Sequence, residues 1–192
     1  FYHVIWFQKG THSVLIDFKP IKIKPNTILF LPKDTVQRFD KNCRFEGKAI
    51  LFTSSFFCKT ENDTTFLRSS ILFNDLLSVA HIQIKTTDVF FTDLVKFMES
   101  ELKKEKDNSQ ADILRNLLHN FLLFSERERR KQSFTEIKKG ANLNFVILFK
   151  DILEANYRKL KQVGSYAEKI NVSQKQLNHA TSKILDKSPK QM

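Results

Sequence analysis

The residues best suited to chemistry lie near the C-terminal end, on a helix predicted from Ser173 to about Leu185. Lys175, Asn178 and His179 are spaced i, i+3 and i+4, which puts them on one face of that helix. An asparagine can bond adenine through two hydrogen bonds, a lysine can donate to guanine O6 or N7, and a histidine can donate or accept. We therefore predict that this face contacts base edges in double-stranded DNA. The alternative is that all three are ordinary solvated residues of a helical corner.

Ser173, Gln174 and Lys183 border that face and are predicted to contact phosphates. The local charge suits such a partner, because residues 149–192 contain nine Lys or Arg against four Asp or Glu. The whole chain has 32 Lys or Arg and 21 Asp or Glu, a formal charge of +11. This excess favours a polyanionic partner, either nucleic acid or an anionic membrane surface, and charge alone does not choose between them.

Two capping patterns predict the elements that position these residues. Ser173 and Gln176 have S-x-x-Q spacing, and Ser165 and Glu168 have S-x-x-E spacing, so a helix is predicted to begin at each serine. The first of the two helices is predicted to end near Asn171, a residue type that tolerates the left-handed conformation of a sharp turn. Ala167 is small where the crossing helices come closest. The predicted shared core consists of Ile170, Val172, Leu177, Ile184 and Leu185. This pattern is typical of a helix-turn-helix, and a further helix is predicted over residues 145–159.

The first half of the sequence has the pattern of strands, in short β-branched and aromatic runs broken by turn residues such as Pro25-Asn26 and the stretch 42–47. Residues 21–24 alternate between apolar and polar, whereas residues 27–31 and 49–52 are continuously apolar, as strands buried on both faces would be. The predicted class is α+β, with a β-barrel or sandwich formed by residues 1–85.

After residue 87 the apolar spacing becomes helical, with Phe90, Leu94, Met98 and Leu102 four residues apart. A polar tract over residues 103–109 predicts a loop, so the two helices form a hairpin within residues 86–141. The second helix is predicted to begin at Ser109, with Asp112 completing a capping box. Its wide apolar face is most simply core, but a surplus would form a homodimer interface. The predicted interface residues are Leu114, Leu117 and Phe121. Residues 142–192 form the third predicted part.

Residues 149–192 resemble the first helix-turn-helix of the AraC family of bacterial transcription activators. The likeness is carried by Val163, Tyr166-Ala167-Glu168, Ile170, Val172-Ser173 and Leu177, followed by Lys187-Ser188-Pro189. The β half is similar to that family's cupin-type sensor domain in residues 1–6, Gly10, residues 16–18 and residues 29–32. The resemblance implies that Lys175, Asn178 and His179 occupy the base-contacting positions. It also implies a second helix-turn-helix beyond the Ser-Pro step, without which this chain would bind DNA weakly.

An unknown small-molecule effector is predicted to bind the β half, because ligand sites combine apolar walls with few polar groups. The candidate residues are Trp6, Phe30 and Phe39 as walls and Arg38 as the partner of an anionic group. Core packing is the other interpretation of each aromatic residue.

The rival hypothesis is a cupin-type enzyme or small-molecule binding protein with a basic helical tail. Metal-dependent cupins bind their metal through two or three His and a carboxylate. Here His3 and His12 are the only histidines before His81, no H-x-H spacing occurs, and Gln37 stands where sensors of this kind often have a His. We therefore predict no metal, no cofactor and no catalytic residue.

The remaining sequence features concern the compartment. Cys43 and Cys58 have no CxxC spacing, which favours reducing cytosol over a zinc site or a disulfide framework. The longest apolar stretches are far shorter than the ~20 residues that a membrane span requires. A cytoplasmic bacterial protein with no membrane contact is predicted. Because the sequence starts at Phe1 within an apolar run and stops at Met192 just after a Ser-Pro step, we expect further residues at both ends.

Overall fold

The computed structural model describes residues 1–33, 35–40, 44–73, 79–132 and 141–192. It divides into two compact units, Phe1–Phe134 and Thr135–Met192. Strands and helices occur together in the first unit, and the described part of the second is helical. The predicted α+β class is therefore confirmed. Asn42, at the start of a predicted turn, and Cys43 lie outside the described residues.

The described residues of the first unit form two antiparallel sheets. Its strands are β1 (Tyr2–Lys9), β2 (His12–Ile16), β3 (Lys19–Ile23), β4 (Thr27–Leu31), β5 (Gln37–Phe39), β6 (Glu46–Phe52) and β7 (Ala80–Gln83). One sheet has the order β6-β1-β4-β7 and the other β3-β2-β5. Within the described ranges neither sheet closes on itself, so the barrel alternative is not realised. No described strand pairs with strands of both sheets, which a closed barrel would require.

The four-stranded sheet has an apolar core on each face. Phe7 and Leu29 face the three-stranded sheet and pack with Val14 and Ile23. Side chains alternate between the two faces along each strand, and Trp6 is among those that point to the opposite face, towards the helices of this unit. All five residues of β4 are buried because both of its faces are covered, as its unbroken apolar run predicted.

β6 has a similar run but lies at the sheet edge, and most of its residues are exposed. Leu51 is 55% exposed. The prediction that residues 49–52 are buried on both faces was wrong, because Ile50 and Phe52 pack on the helix-side core whereas the face that carries Ala49 and Leu51 is exposed.

The described part of the first unit contains four helices: α1 (Ser54–Phe57), α2 (Glu61–Ser69), α3 (Val89–Leu102) and α4 (Gln110–Lys131). The predicted hairpin is formed by α3 and α4, which cover the sheet with Phe91, Leu94, Leu118 and Leu122. The predicted capping box at Ser109 was wrong. The backbone N–H groups of Ser109 and Gln110 instead donate to Asp107 Oδ1, at 2.9 and 2.8 Å.

The described part of the second unit consists of α5 (Ala141–Asn156), α6 (Val163–Lys169), α7 (Gln174–Leu185) and a 3₁₀ turn (Pro189–Gln191). α6 begins two residues before Ser165, and Ser165 donates its N–H to the Gln162 carbonyl, so the predicted capping box there was wrong. No helix within the described residues is long and apolar enough to cross a membrane.

Candidate nucleic-acid interface

A tight turn at Asn171 joins α6 to α7. Asn171 has φ 56°, as predicted from its tolerance of the left-handed region. The Val172 N–H donates to the Ala167 carbonyl and the Asn171 N–H to the Glu168 carbonyl, both at 3.0 Å. This pair of bonds is a Schellman motif, which satisfies carbonyls at the end of α6 and fixes the direction in which the chain leaves it.

The start of α7 is fixed by the capping box predicted from Ser173 and Gln176. The Gln176 N–H donates to Ser173 Oγ at 3.1 Å, and the Ser173 N–H donates to Gln176 Oε1 at 2.9 Å. Two backbone donors at the helix N-terminus are thereby satisfied within the chain. The orientation of the first turn of α7 is therefore specified by local chemistry.

One face of α7 is buried in the core of the second unit. Leu177, Ala180 and Thr181 are fully buried, and Leu177 packs with Phe149 and Tyr166. The rings of Phe149 and Tyr166 meet edge to face, with centroids 5.6 Å apart. Ile184 and Leu185, which were predicted as core, are half-buried. The predicted core omitted both aromatic residues, although their apolar spacing was visible in the sequence.

The opposite face of α7 carries the predicted contact residues. All six of these residues are exposed: Ser173, Gln174, Lys175, Asn178, His179 and Lys183. Ser182, which sequence reasoning did not single out, is also exposed and lies four residues after Asn178 on the same side. The first turn of α7 contains no acidic residue. Its lysine and the positive end of the helix dipole therefore act in the same direction on a nearby anion.

We predict that Ser173→Ala loosens the start of α7 by about 1 kcal/mol, because the cap acceptor for the Gln176 N–H is lost. Hydrogen exchange of the α7 amides would show the loss as faster exchange in the first turn. Ser182→Ala is the matched control, since alanine is a better helix former at an exposed interior position. Equal exchange in the two variants would contradict the role of the cap.

The predicted effector residues do not come together. Trp6 and Phe30 belong to the core on the helix side of the four-stranded sheet, whereas Phe39 packs against the core between the two sheets. Arg38 lies on β5 and is exposed. The four residues therefore cannot line a single pocket, because the sheet separates Phe39 from Trp6 and Phe30.

Polar groups near the inter-sheet core were not among the predicted site residues. His3 Nδ1 and Gln37 Nε2 lie 2.8 Å apart. Gln37 Oε1 and His12 Nε2 are buried with no hydrogen-bond partner in the part of the chain that the structure describes. In that part, no group of three or more His, Cys, Asp or Glu is arranged to hold a metal ion.

The predicted dimer residues face inwards. Phe121 is fully buried, and Leu114 and Leu117 pack against the same core. Phe121 therefore cannot reach a partner subunit. The outward apolar residues of α4 are Ile113 and Leu123, which are 39% and 45% exposed.

No protein-family model matches the sequence, and no curated protein matches it. The likeness of residues 149–192 to the AraC family therefore stays a prediction. The geometry of α6, α7 and their turn is the basis on which a function is proposed.

Proposed function

We propose that this protein is a sequence-specific DNA-binding transcription regulator in which α6 and α7 form a helix-turn-helix. One observation carries the proposal. α7 is held by a buried face at Leu177 and presents Lys175, Asn178 and His179 together on its exposed face. An α-helix fits the major groove of B-DNA, where each base pair has a distinct pattern of donors and acceptors.

The direction of α7 suits this role. In helix-turn-helix proteins the N-terminal residues of the second helix contact base edges. Lys175 lies in the first turn of α7, and Asn178 and His179 lie one turn later. Ser173 Oγ accepts the capping hydrogen bond, and its hydroxyl proton can still be donated to a phosphate oxygen.

We also propose a homodimer that uses the outward face of α4. Ile113, Asn116, Asn120 and Leu123 are exposed and fall within one narrow stripe of the helix. Two copies of α4 can pack antiparallel with the two-fold axis at the level of residue 118 along the helix. Ile113 then meets Leu123 of the partner subunit, and Asn116 meets Asn120 of the partner subunit. A two-fold interface requires such self-complementarity, and polar residues in a helical seam fix its register. This arrangement replaces the inward residues predicted from sequence.

The proposed effector site lies between the two sheets, beside His3 and Gln37. A buried amide oxygen without a partner costs about 1–3 kcal/mol, so a ligand donor that reaches Gln37 Oε1 would recover this loss. The effector would regulate DNA binding only if its affinity differs between the bound and free states of the regulator.

The buried Gln37 Oε1 equally favours a second candidate function, a small-molecule binding protein, and the cupin-type enzyme is the rival hypothesis from the sequence. Metal analysis of the purified protein separates the two candidates. Stoichiometric iron, manganese or zinc, without duplex binding, would favour the enzyme.

The direct test of the regulator is binding of the protein to fluorescent genomic promoter fragments and to random duplex, measured across a salt series. Tighter binding to a few fragments than to random duplex, weakening steeply as salt rises, is the expected result. Equal affinity for every duplex would contradict sequence recognition, and the lack of any binding would contradict the proposal as a whole.

We predict that Asn178→Ala weakens binding to the preferred fragment by about 1–3 kcal/mol and leaves binding to random duplex unchanged, because a base contact is lost. Lys175→Ala is expected to have a similar effect on discrimination. The matched controls are Asn108→Ala and Lys106→Ala, in the exposed loop between α3 and α4. Equal losses on specific and random DNA would refute the assignment of base contacts to Asn178 and Lys175.

A further inference from the structure

A second cationic surface lies outside the predicted contact face, in the segment that joins α5 to α6. We call residues 157–161 the basic turn. Arg158, Lys159 and Lys161 provide three cations within four residues, and all three are exposed. From Ala155 to Ala167 the sequence contains no acidic residue, so no carboxylate of this stretch offsets their charge.

The backbone of the basic turn is fixed by hydrogen bonds. The Lys159 and Leu160 N–H groups donate to the Asn156 carbonyl, at 2.8 and 2.9 Å. The Leu160 carbonyl accepts from the hydroxyl of Tyr166, a buried core residue, at 2.8 Å. Leu160 itself packs against that core. The cations are therefore carried by an ordered segment, and binding a ligand there would order few additional backbone groups.

The Arg158 side chain is also held in place. Its guanidinium lies over the ring of Tyr157, 5.6 Å from the centroid, and its Nε donates to the Tyr157 hydroxyl at 3.1 Å. Tyr157 is 54% exposed, so this pair lies at the surface. The contact uses one of five N–H donors, and the η nitrogens keep the planar fork that binds phosphate through two parallel hydrogen bonds.

The basic turn is related to α7 through the first turn of α6. The basic turn leads directly into the first turn of α6, where a Cβ placed on Gly164 would lie 3.8 Å from Gln174 Oε1. The first turns of α6 and α7 are thus neighbours. The basic turn lies only three residues before Gly164, and the predicted phosphate contacts Ser173 and Gln174 are at the same end of this unit.

We infer that the basic turn binds the phosphate backbone beside the groove that α7 enters. The inference rests on the proposed DNA-binding function and extends it with a sequence-independent contact. Lys161 donates to the Tyr157 carbonyl at 3.0 Å, which leaves two of its ammonium protons for phosphate oxygens. A duplex partner fits better than a membrane surface, because the apolar side chain of Leu160 points into the core rather than outwards.

The test compares two triple variants of the full chain that lose the same charge. R158Q/K159Q/K161Q neutralises the basic turn, and K19Q/K22Q/K24Q neutralises three exposed lysines at and beside β3. Binding to the preferred promoter fragment and to random duplex is measured as a function of salt. Circular dichroism checks that both variants fold, and the single variant K159Q serves if the triple variant does not.

The slope is that of the logarithm of the binding constant against the logarithm of the salt concentration. For the basic-turn variant we expect this slope to be less steep by about 2–3, since each phosphate contact contributes about 0.9. Affinity for both duplexes should fall by a similar factor, on the order of 10-fold or more, with discrimination unchanged. A slope equal to that of the β3 variant would overturn this inference while leaving the proposed function intact. If the unmodified chain binds no duplex, the proposed function fails and the inference fails with it. Loss of binding to anionic lipid vesicles, with duplex binding unchanged, would assign the basic turn to a membrane surface instead.

Discussion

Phe149→Ala is expected to unfold the second unit and abolish duplex binding. Phe149 is 1% exposed and meets Tyr166 edge to face in the core that supports α7. Removing a buried phenylalanine costs about 3–5 kcal/mol. A unit of this size buries a small core, so such a loss is comparable with its whole stability. Hydrogen exchange of α7 together with fluorescence anisotropy on duplex measures both consequences.

Phe18→Ala is the matched control for that variant. Phe18 is 86% exposed in the turn between β2 and β3, so its truncation removes little buried surface. We expect α7 exchange and duplex affinity to be unchanged in this control. Retention of slow α7 exchange in Phe149→Ala would show that the core of the second unit does not depend on this ring.

The best-predicted parts of the candidate interface are those that short-range chemistry determines. Ser173 and Gln176 cap one another across three residues, and Asn171 adopts its left-handed conformation through its own side-chain type. Neither the cap nor the left-handed conformation depends on a residue distant in the sequence. The start of α6 was misplaced because the S-x-x-E spacing put it at Ser165, whereas Ser165 lies in the first turn of the helix.

Features that depend on neighbours distant in sequence were predicted less well. β4 and β6 have similar apolar runs, and only their places in the sheet decide that one is buried and the other exposed. The effector residues predicted from the sequence fail as a set for the same reason. Trp6 and Phe39 lie on opposite sides of the four-stranded sheet, and sequence alone does not tell which sheet a strand joins.

Helix α4 shows how a correct secondary-structure prediction can still leave the function of a face undecided. Its apolar residues were too many for one narrow stripe, so core and interface could not be separated from spacing alone. Burial separates them, because Phe121 is enclosed while Ile113 and Leu123 are exposed. The two groups should therefore respond differently to mutation.

Phe121→Ala is expected to destabilise the first unit by about 3–5 kcal/mol without changing the association of the chains. Phe121 is fully buried and meets Phe91 edge to face, with centroids 5.3 Å apart. Trp6 is the only tryptophan of the chain and lies in the same core, so its fluorescence reports the unfolding of this unit in denaturant. Sedimentation equilibrium measures association in parallel.

Leu123→Ser provides the reciprocal variant, because it alters the outward stripe of α4 and leaves the core intact. We expect weaker dimerisation. The midpoint of denaturant unfolding, extrapolated to low protein concentration so that association does not contribute, should change only slightly. If Phe121→Ala instead yields a monomer of normal stability, the interface lies on the inward face and α4 must rearrange on association. If the unmodified chain is monomeric at high concentration, Leu123 and Ile113 are merely exposed apolar residues. If the protein is the proposed regulator, it would then have to bind its operator as a single copy.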